Sequence, residues 1–240
     1  MSFIINPYAF GGAAFSPDDI SGLVVWLKAD AITGLVDGDP VTTWEDSSSA
    51  NNDATEATNK PTYKTNIING KPVIRFDGTN DKLAIADHAS LDVTNITIFA
   101  VCKVTSSGVP AYAVNRNYDG ANVPYSLNLA AVGNTAMGFF NGGWRVSTIT
   151  TDISSDGNFH VAAGRYDGST LEYLLDGTLD ASSAYSGSLP AGTQPLYIGT
   201  YLQDSLFFAG DIAEVIVYGS ALGTTDFNNV QAYLDAKYAL

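Results

Sequence analysis

Four glutamates, Glu45, Glu56, Glu172 and Glu214, are the first candidates for acid–base chemistry in this 240-residue chain. A retaining glycosidase holds two carboxyl groups about 5–5.5 Å apart, and an inverting one about 6.5–9.5 Å. The two closest glutamates in sequence, Glu45 and Glu56, are eleven residues apart. Within one strand-like run the nearest carboxylate pair is Glu172 with Asp176, but Asp176 opens an Asp-Gly turn, and turn chemistry accounts for it. His88 and His160 are distant from each other and Cys102 is the sole cysteine, so a zinc site would need carboxylates or a second subunit. The chain has no Gly-x-Ser-x-Gly elbow, Cys102 within ITIFAVCKV reads as a small buried hydrophobe, and His160 reads as a packed strand residue. We expect no enzyme.

Two other chemistries have suitable residues. A hard cation such as Ca2+ takes six to eight oxygens, and Asp77-Gly78-Thr79-Asn80-Asp81 supplies two carboxylates, an amide and loop carbonyls. The alternative is that Asp77 and Asp211 simply cap turns. A glycan site wants an aromatic plate for the sugar's C–H face and planar polar groups for its hydroxyls. Residues 112–145 concentrate such material, and Asn115, Arg116, Tyr118, Tyr125, Trp144 and Arg145 are the candidate ligand-binding residues. The competing reading packs these aromatics into a core or over a sheet edge.

Composition limits the partners. The chain is 45% hydrophobic and 15% charged, enough to bury a full core, and its net charge is −14. Nucleic acid and anionic lipid would meet a repulsive field, and the basic residues are scattered rather than clustered. No apolar run approaches the ~18 residues of a membrane span, and the first residues lack the positive region of a secretory signal. Synthesis in a host cytoplasm without a signal peptide is the expectation.

Residues 1–19 have neither helical nor strand period, because Pro7, Gly11, Gly12 and Pro17 interrupt them. Phe3, Ile4, Ile5, Tyr8, Phe10 and Phe15 would expose a costly apolar patch there unless covered, so this extended arm lies either on its own domain or on another subunit. From residue 20 to 240 we expect one domain. Asp-Gly at 37, 77, 119, 156, 167 and 176 and Asn-Gly at 69 and 141 punctuate short strand-like runs. The clearest runs are 23–29, 72–77, 96–104, 124–130, 144–150, 158–166, 170–176, 195–201 and 211–218. In 211–218, alternation puts Ile212, Glu214, Ile216 and Tyr218 on one face and Ala213, Val215 and Val217 on the other, leaving Glu214 in need of a partner. The ending is helical: Thr224-Thr225-Asp226 can cap a helix in which Phe227, Val230, Leu234 and Tyr238 share a face. This pattern predicts an all-β sandwich closed by an amphipathic helix.

Four stretches, 22–30 GLVVWLKAD, 41–54 VTTWEDSSSANNDA, 68–78 INGKPVIRFDG and 208–238, stand in the order of the laminin-G-like, concanavalin-A-like lectin jelly rolls, which the chain resembles over about 20–240, most thinly over 105–157. The resemblance implies a concanavalin-A-like antiparallel β-sandwich and brings Asp211 close to the Asp77–Asp81 loop as a third Ca2+ carboxylate. The Glu-x-Asp-x-x-Glu run of the related glucanases is missing. The start, MSFIINPY, is similar to the starts of tailed-phage virion proteins. It implies a non-enzymatic virion surface protein, a capsid decoration, head fibre or tail adhesin, whose arm docks on other virion proteins and which forms a symmetric homo-oligomer. A stand-alone carbohydrate-binding lectin and a degenerate glycoside hydrolase are the alternatives.

Overall fold

The computed structural model describes residues 14–105, 111–117, 119–129, 136–154, 156–201 and 205–240. Among these, the first strands are β1 Leu23–Lys28, β2 Thr43–Trp44, β3 Ala54–Thr55, β4 Thr62–Ile68, β5 Lys71–Asp77, β6 Leu83–Ile85, β7 Ile96–Val104 and β8 Tyr112–Arg116. They are followed by β9 Asn122–Asn128, β10 Met137–Asn141, β11 Trp144–Val146, β12 His160–Tyr166, β13 Thr170–Leu175, β14 Thr178–Ala184, β15 Leu196–Ile198 and β16 Ala209–Tyr218. One α-helix, α1 Thr224–Tyr238, closes the chain. The strands form two eight-stranded sheets: a back sheet ordered β14-β13-β12-β7-β16-β5-β4, with β1 also on β16, and a front sheet ordered β11-β10-β9-β8-β15-β6-β3-β2. Pairing is antiparallel throughout. The predicted all-β sandwich with a C-terminal helix is the observed fold.

Why the middle of the back sheet is apolar on both faces is clear from β7. Its Ile96, Ile98, Ala100 and Cys102 point into the core between the sheets, while Phe99 and Val101 point outward into a second core. That second core is made by α1, whose Phe227, Val230, Leu234 and Tyr238 are buried against Phe99, Val161, Ala213 and Ile216. The helix begins earlier than expected: Gly223 holds the N-cap position, and Thr224, Thr225 and Asp226, expected to cap the helix, form its first turn, where the Asp226 charge suits the helix dipole. Glu214 finds its partners here. At 1% exposure its carboxylate accepts from Trp26 Nε1 (2.6 Å), Tyr233 Oη (3.1 Å), Lys237 Nζ (2.7 Å) and Tyr238 Oη (2.8 Å).

The turn chemistry follows the sequence. Asn69-Gly70 (φ 46° and 73°) and Asp176-Gly177 (φ 48° and 74°) both take the paired positive φ of a two-residue hairpin turn, joining β4 to β5 and β13 to β14. The WED stretch is also explained: Trp44 is buried in the inter-sheet core, and Asp46 accepts from the backbone of Trp26 (2.7 Å), Ser48 (2.9 Å) and Asn52 (2.8 Å), which fixes the polar loop after it. One expectation fails. A β-bulge between Ile212 and Glu214 breaks strict alternation, so Ile212 joins Val215 and Val217 in the inter-sheet core while Ala213 joins Ile216 and Tyr218 under the helix.

Residues 15–19 pack on the body rather than standing clear of it. Phe15 lies edge-on to Tyr233 (6.5 Å between ring centres), and the buried Pro17 accepts a hydrogen bond from Tyr218 Oη (2.8 Å). Phe3, Ile4, Ile5, Tyr8 and Phe10 lie outside the described residues.

His160 is held by two carboxylates, Asp176 at Nδ1 (2.7 Å) and Asp156 at Nε2 (2.8 Å). The Asp176 hydrogen bond, with help from Asp156 and against partial burial, raises the imidazole to about 8. A folded value above the ordinary 6.5 gives stability that is fully present below that value and is lost as pH rises through about 8. Thermal melts from pH 6 to 9 are therefore expected to decline more steeply for wild type than for His160→Gln, and parallel curves would contradict this. Glu214→Ala leaves Lys237 without its buried partner and is expected to cost about 3–5 kcal/mol in urea unfolding. A loss under about 1 kcal/mol would show that the network does not hold the helix.

Candidate ligand face on the front sheet

The two faces of the front sheet are sorted by β8 and its neighbours. Tyr112 stands opposite Asn128 and Asn115 opposite Ser126, so three steps on β8 match two on β9. This bulge turns both Ala113 and Val114 into the inter-sheet core and leaves Tyr112 and Asn115 together on the outer face. On β15, Leu196 and Ile198 face the core, so Tyr197, which pairs with Asn115, faces outward. The β10–β11 hairpin adds Phe140 and Trp144 as an opposed pair.

These residues form a row of rings. Tyr112 stacks on Tyr201 (4.6 Å between centres, 21° between planes), Tyr201 meets Trp144 (6.3 Å), and Trp144 meets Phe140 edge-on (5.5 Å). Trp144 is 44% exposed, which leaves one broad aromatic surface open to solvent. Asn115 is fully buried on the same face, and neither its Nδ2 nor its Oδ1 has a hydrogen-bond partner. Among the buried amides of the described residues it is the one with both ends unpaired. An unpaired buried polar atom costs about 1–3 kcal/mol, so this amide is a destabilising group that the fold retains on this face.

The other expected ligand residues are placed differently. Arg116 is fully buried and its Nη2 binds Asp87 (2.6 Å), Asp92 (3.0 Å) and the Gly192 carbonyl (2.9 Å), tying β8 to two loops. Tyr125 is buried in the inter-sheet core, donates to the Leu91 carbonyl (3.2 Å), and is pushed up to about 12 by that burial. Arg145 stands opposite the core residue Phe139 and lies over the Tyr185 ring (4.7 Å), on the reverse side from Trp144. These three are thus structural where the sequence reading made them ligand-binding, while Asn115 and Trp144 share the outer face. Tyr118 lies outside the described residues. Tyr197 and Tyr201 were missed, although the alternation of Leu196 and Ile198 within 195–201 marks Tyr197 as outward-facing.

The three acidic residues expected to hold Ca2+ do not form one donor set. Asp211 is fully buried and accepts both arms of Arg75, Nε at 2.6 Å and Nη2 at 2.8 Å, with Lys103 Nζ at 3.9 Å. Asp77 Oδ1 caps its own turn, accepting from the backbone of Thr79 (2.8 Å), Asn80 (3.2 Å) and Asp81 (3.4 Å). Asp81 in turn accepts from the Asp77 backbone (2.9 Å), and burial, reinforced by the Asp77 charge, pushes its carboxyl up to about 6. The residues do not fit a Ca2+ site, and among the described residues no group of three His, Cys, Asp or Glu could hold a metal.

Two stacked antiparallel sheets with one amphipathic helix outside define a concanavalin-A-like sandwich. The chain belongs to the concanavalin A-like lectin/glucanases superfamily, in the laminin G-like branch whose family model matches residues 77–226. Among solved structures it is similar to the binding domain of Paraclostridial Mosquitocidal Protein 1 (TM-score 0.64, 13% identity, 91% of this chain and 53% of that one). It is also similar to domain 4 of AbnA, an extracellular arabinanase from Geobacillus stearothermophilus, solved with arabinotriose (TM-score 0.58, 14% identity, 87% and 98%). A third is the receptor-binding domain of botulinum neurotoxin D (TM-score 0.64, 12% identity, 91% and 54%). The chain thus spans about half the length of the two toxin domains. Among curated proteins no sequence matches.

The two amide and guanidinium neighbours on β8 are expected to separate in stability measurements. Asn115→Leu fills the same space without polar atoms and is expected to leave unfolding free energy unchanged or raise it by about 1 kcal/mol. Arg116→Met removes the hydrogen bonds that tie β8 to the Asp87, Asp92 and Gly192 loops and is expected to cost about 1–3 kcal/mol. Chemical denaturation of both variants checks this, and a large loss for Asn115→Leu would mean that the amide has a structural partner.

Proposed function

We propose that this chain is a non-enzymatic glycan-binding surface module whose ligand lies on the outer face of the front sheet. The observation that carries the reading is the unpaired Asn115 amide on the face that bears the Tyr112–Tyr201–Trp144–Phe140 row. An exposed ring supplies a plate for the apolar face of a pyranose, and a planar amide supplies a donor and an acceptor for adjacent hydroxyls. Hydrolysis has no comparable support: Glu172 is held by Arg165 (2.7 Å) and Glu214 is saturated beneath the helix.

The wider role we propose is that of a tailed-phage virion surface protein in which the leading residues dock on the particle and on sister copies. Its support is the similarity of MSFIINPY to virion protein starts, together with the anchoring of Phe15 and Pro17 beside the helix. That anchor is on the helix side of the sandwich, opposite the face that bears the ring row.

Glycan-array screening followed by calorimetry tests the ligand face. Trp144→Ala is expected to weaken the best glycan at least about ten-fold without shifting the melting temperature. Absence of any glycan ligand, or undiminished binding by Trp144→Ala, would overturn the proposal. Deleting residues 1–13 is expected to leave the body folded and the glycan affinity unchanged while abolishing attachment to particles.

A further inference from the structure

We infer that the front-sheet face selects uncharged glycans and discriminates against counterparts bearing a carboxylate or sulfate, an inference that rests on the glycan-binding reading above. Recognition of an acidic sugar calls for a cation, most often a guanidinium presented to the anion as a two-armed donor. All eleven Lys and Arg residues lie in the described part of the chain, so the positive charges can be followed one by one. The front-sheet strands hold two of them, Arg116 and Arg145.

Neither is presented to a ligand. Arg116 is buried and already neutralised by Asp87 and Asp92 (2.6 and 3.0 Å). Arg145 points to the other side of its strand and rests on Tyr185. Lys82, just before β6, is 8% exposed. The remaining cations belong to β1, β4, β5, β7, β12 and α1, or to the turn before β4, all in or beside the back sheet.

What the face presents is neutral: the rings of Tyr112, Tyr201, Trp144 and Phe140, with the buried amide of Asn115 on the same side of the sheet. Around it the chain carries a net charge of −14, so an anionic sugar would approach against the field and bring a charge that no presented cation meets. The penalty is electrostatic and therefore falls as salt shortens the screening length.

Calorimetric titration of the full chain with matched oligosaccharides, one neutral and one carrying a single added sialic acid or sulfate, tests this at low and high salt. The neutral member is expected to bind about ten-fold tighter or better at low salt, with the gap narrowing as salt rises. Equal or tighter binding of the acidic member at low salt, lost in Trp144→Ala, would overturn the selectivity while leaving the glycan-binding reading intact. Binding of neither member, by a chain that also fails on a broad array, would overturn both.

Discussion

A buried carboxylate under the C-terminal helix organises this molecule. Glu214 sits on β16, the strand that pairs with β1, β5 and β7, and every bond it accepts comes from a different side chain of β1 or α1. An unpaired charge at that depth would cost several kcal/mol, so the network specifies where the helix must dock as well as satisfying the acid. With the helix in place the middle of the back sheet is apolar on both faces and covered on both. The front sheet, by contrast, keeps an outer face lined with rings and amides, and the proposed binding side rests on this asymmetry between the sheets.

Local irregularity then decides which residues appear on that side. A strand of strict period two would put Tyr112 and Asn115 on opposite faces, because they are three apart. The bulge at Ala113 and Val114 sends two apolar neighbours inward together and brings the tyrosine and the amide to one face. The same device at Ala213 and Glu214 presents both to the helix side. Bulges of this kind re-aim side chains without altering the sheet, and the proposed ligand face depends on one of them.

Much of the scaffold was legible from residue order because its signals are local. Asp-Gly and Asn-Gly mark positive-φ turns, β7 matches its expected 96–104 span, and the spacing of Phe227, Val230, Leu234 and Tyr238 reveals the buried side of α1. The site was legible only in part. Trp144 and Asn115 were among the candidates, but Arg116, Tyr125 and Arg145 have the same chemical appearance in a sequence and differ only in which way the strand turns them. Asp77, Asp81 and Asp211 likewise look like a cation cage until the Arg75 guanidinium is seen to occupy Asp211. Those distinctions arise from bulges and from partners far along the chain, 136 positions in the case of Arg75 and Asp211, which no local pattern encodes.

The account stands or falls on where a sugar sits. A crystal structure of the chain soaked with an uncharged oligosaccharide is the most direct test. A pyranose ring lying against Trp144, with a hydroxyl within hydrogen-bonding distance of the Asn115 amide, is the predicted result. A sugar bound on the helix side or at a sheet edge, with the Trp144 surface bare, would contradict it.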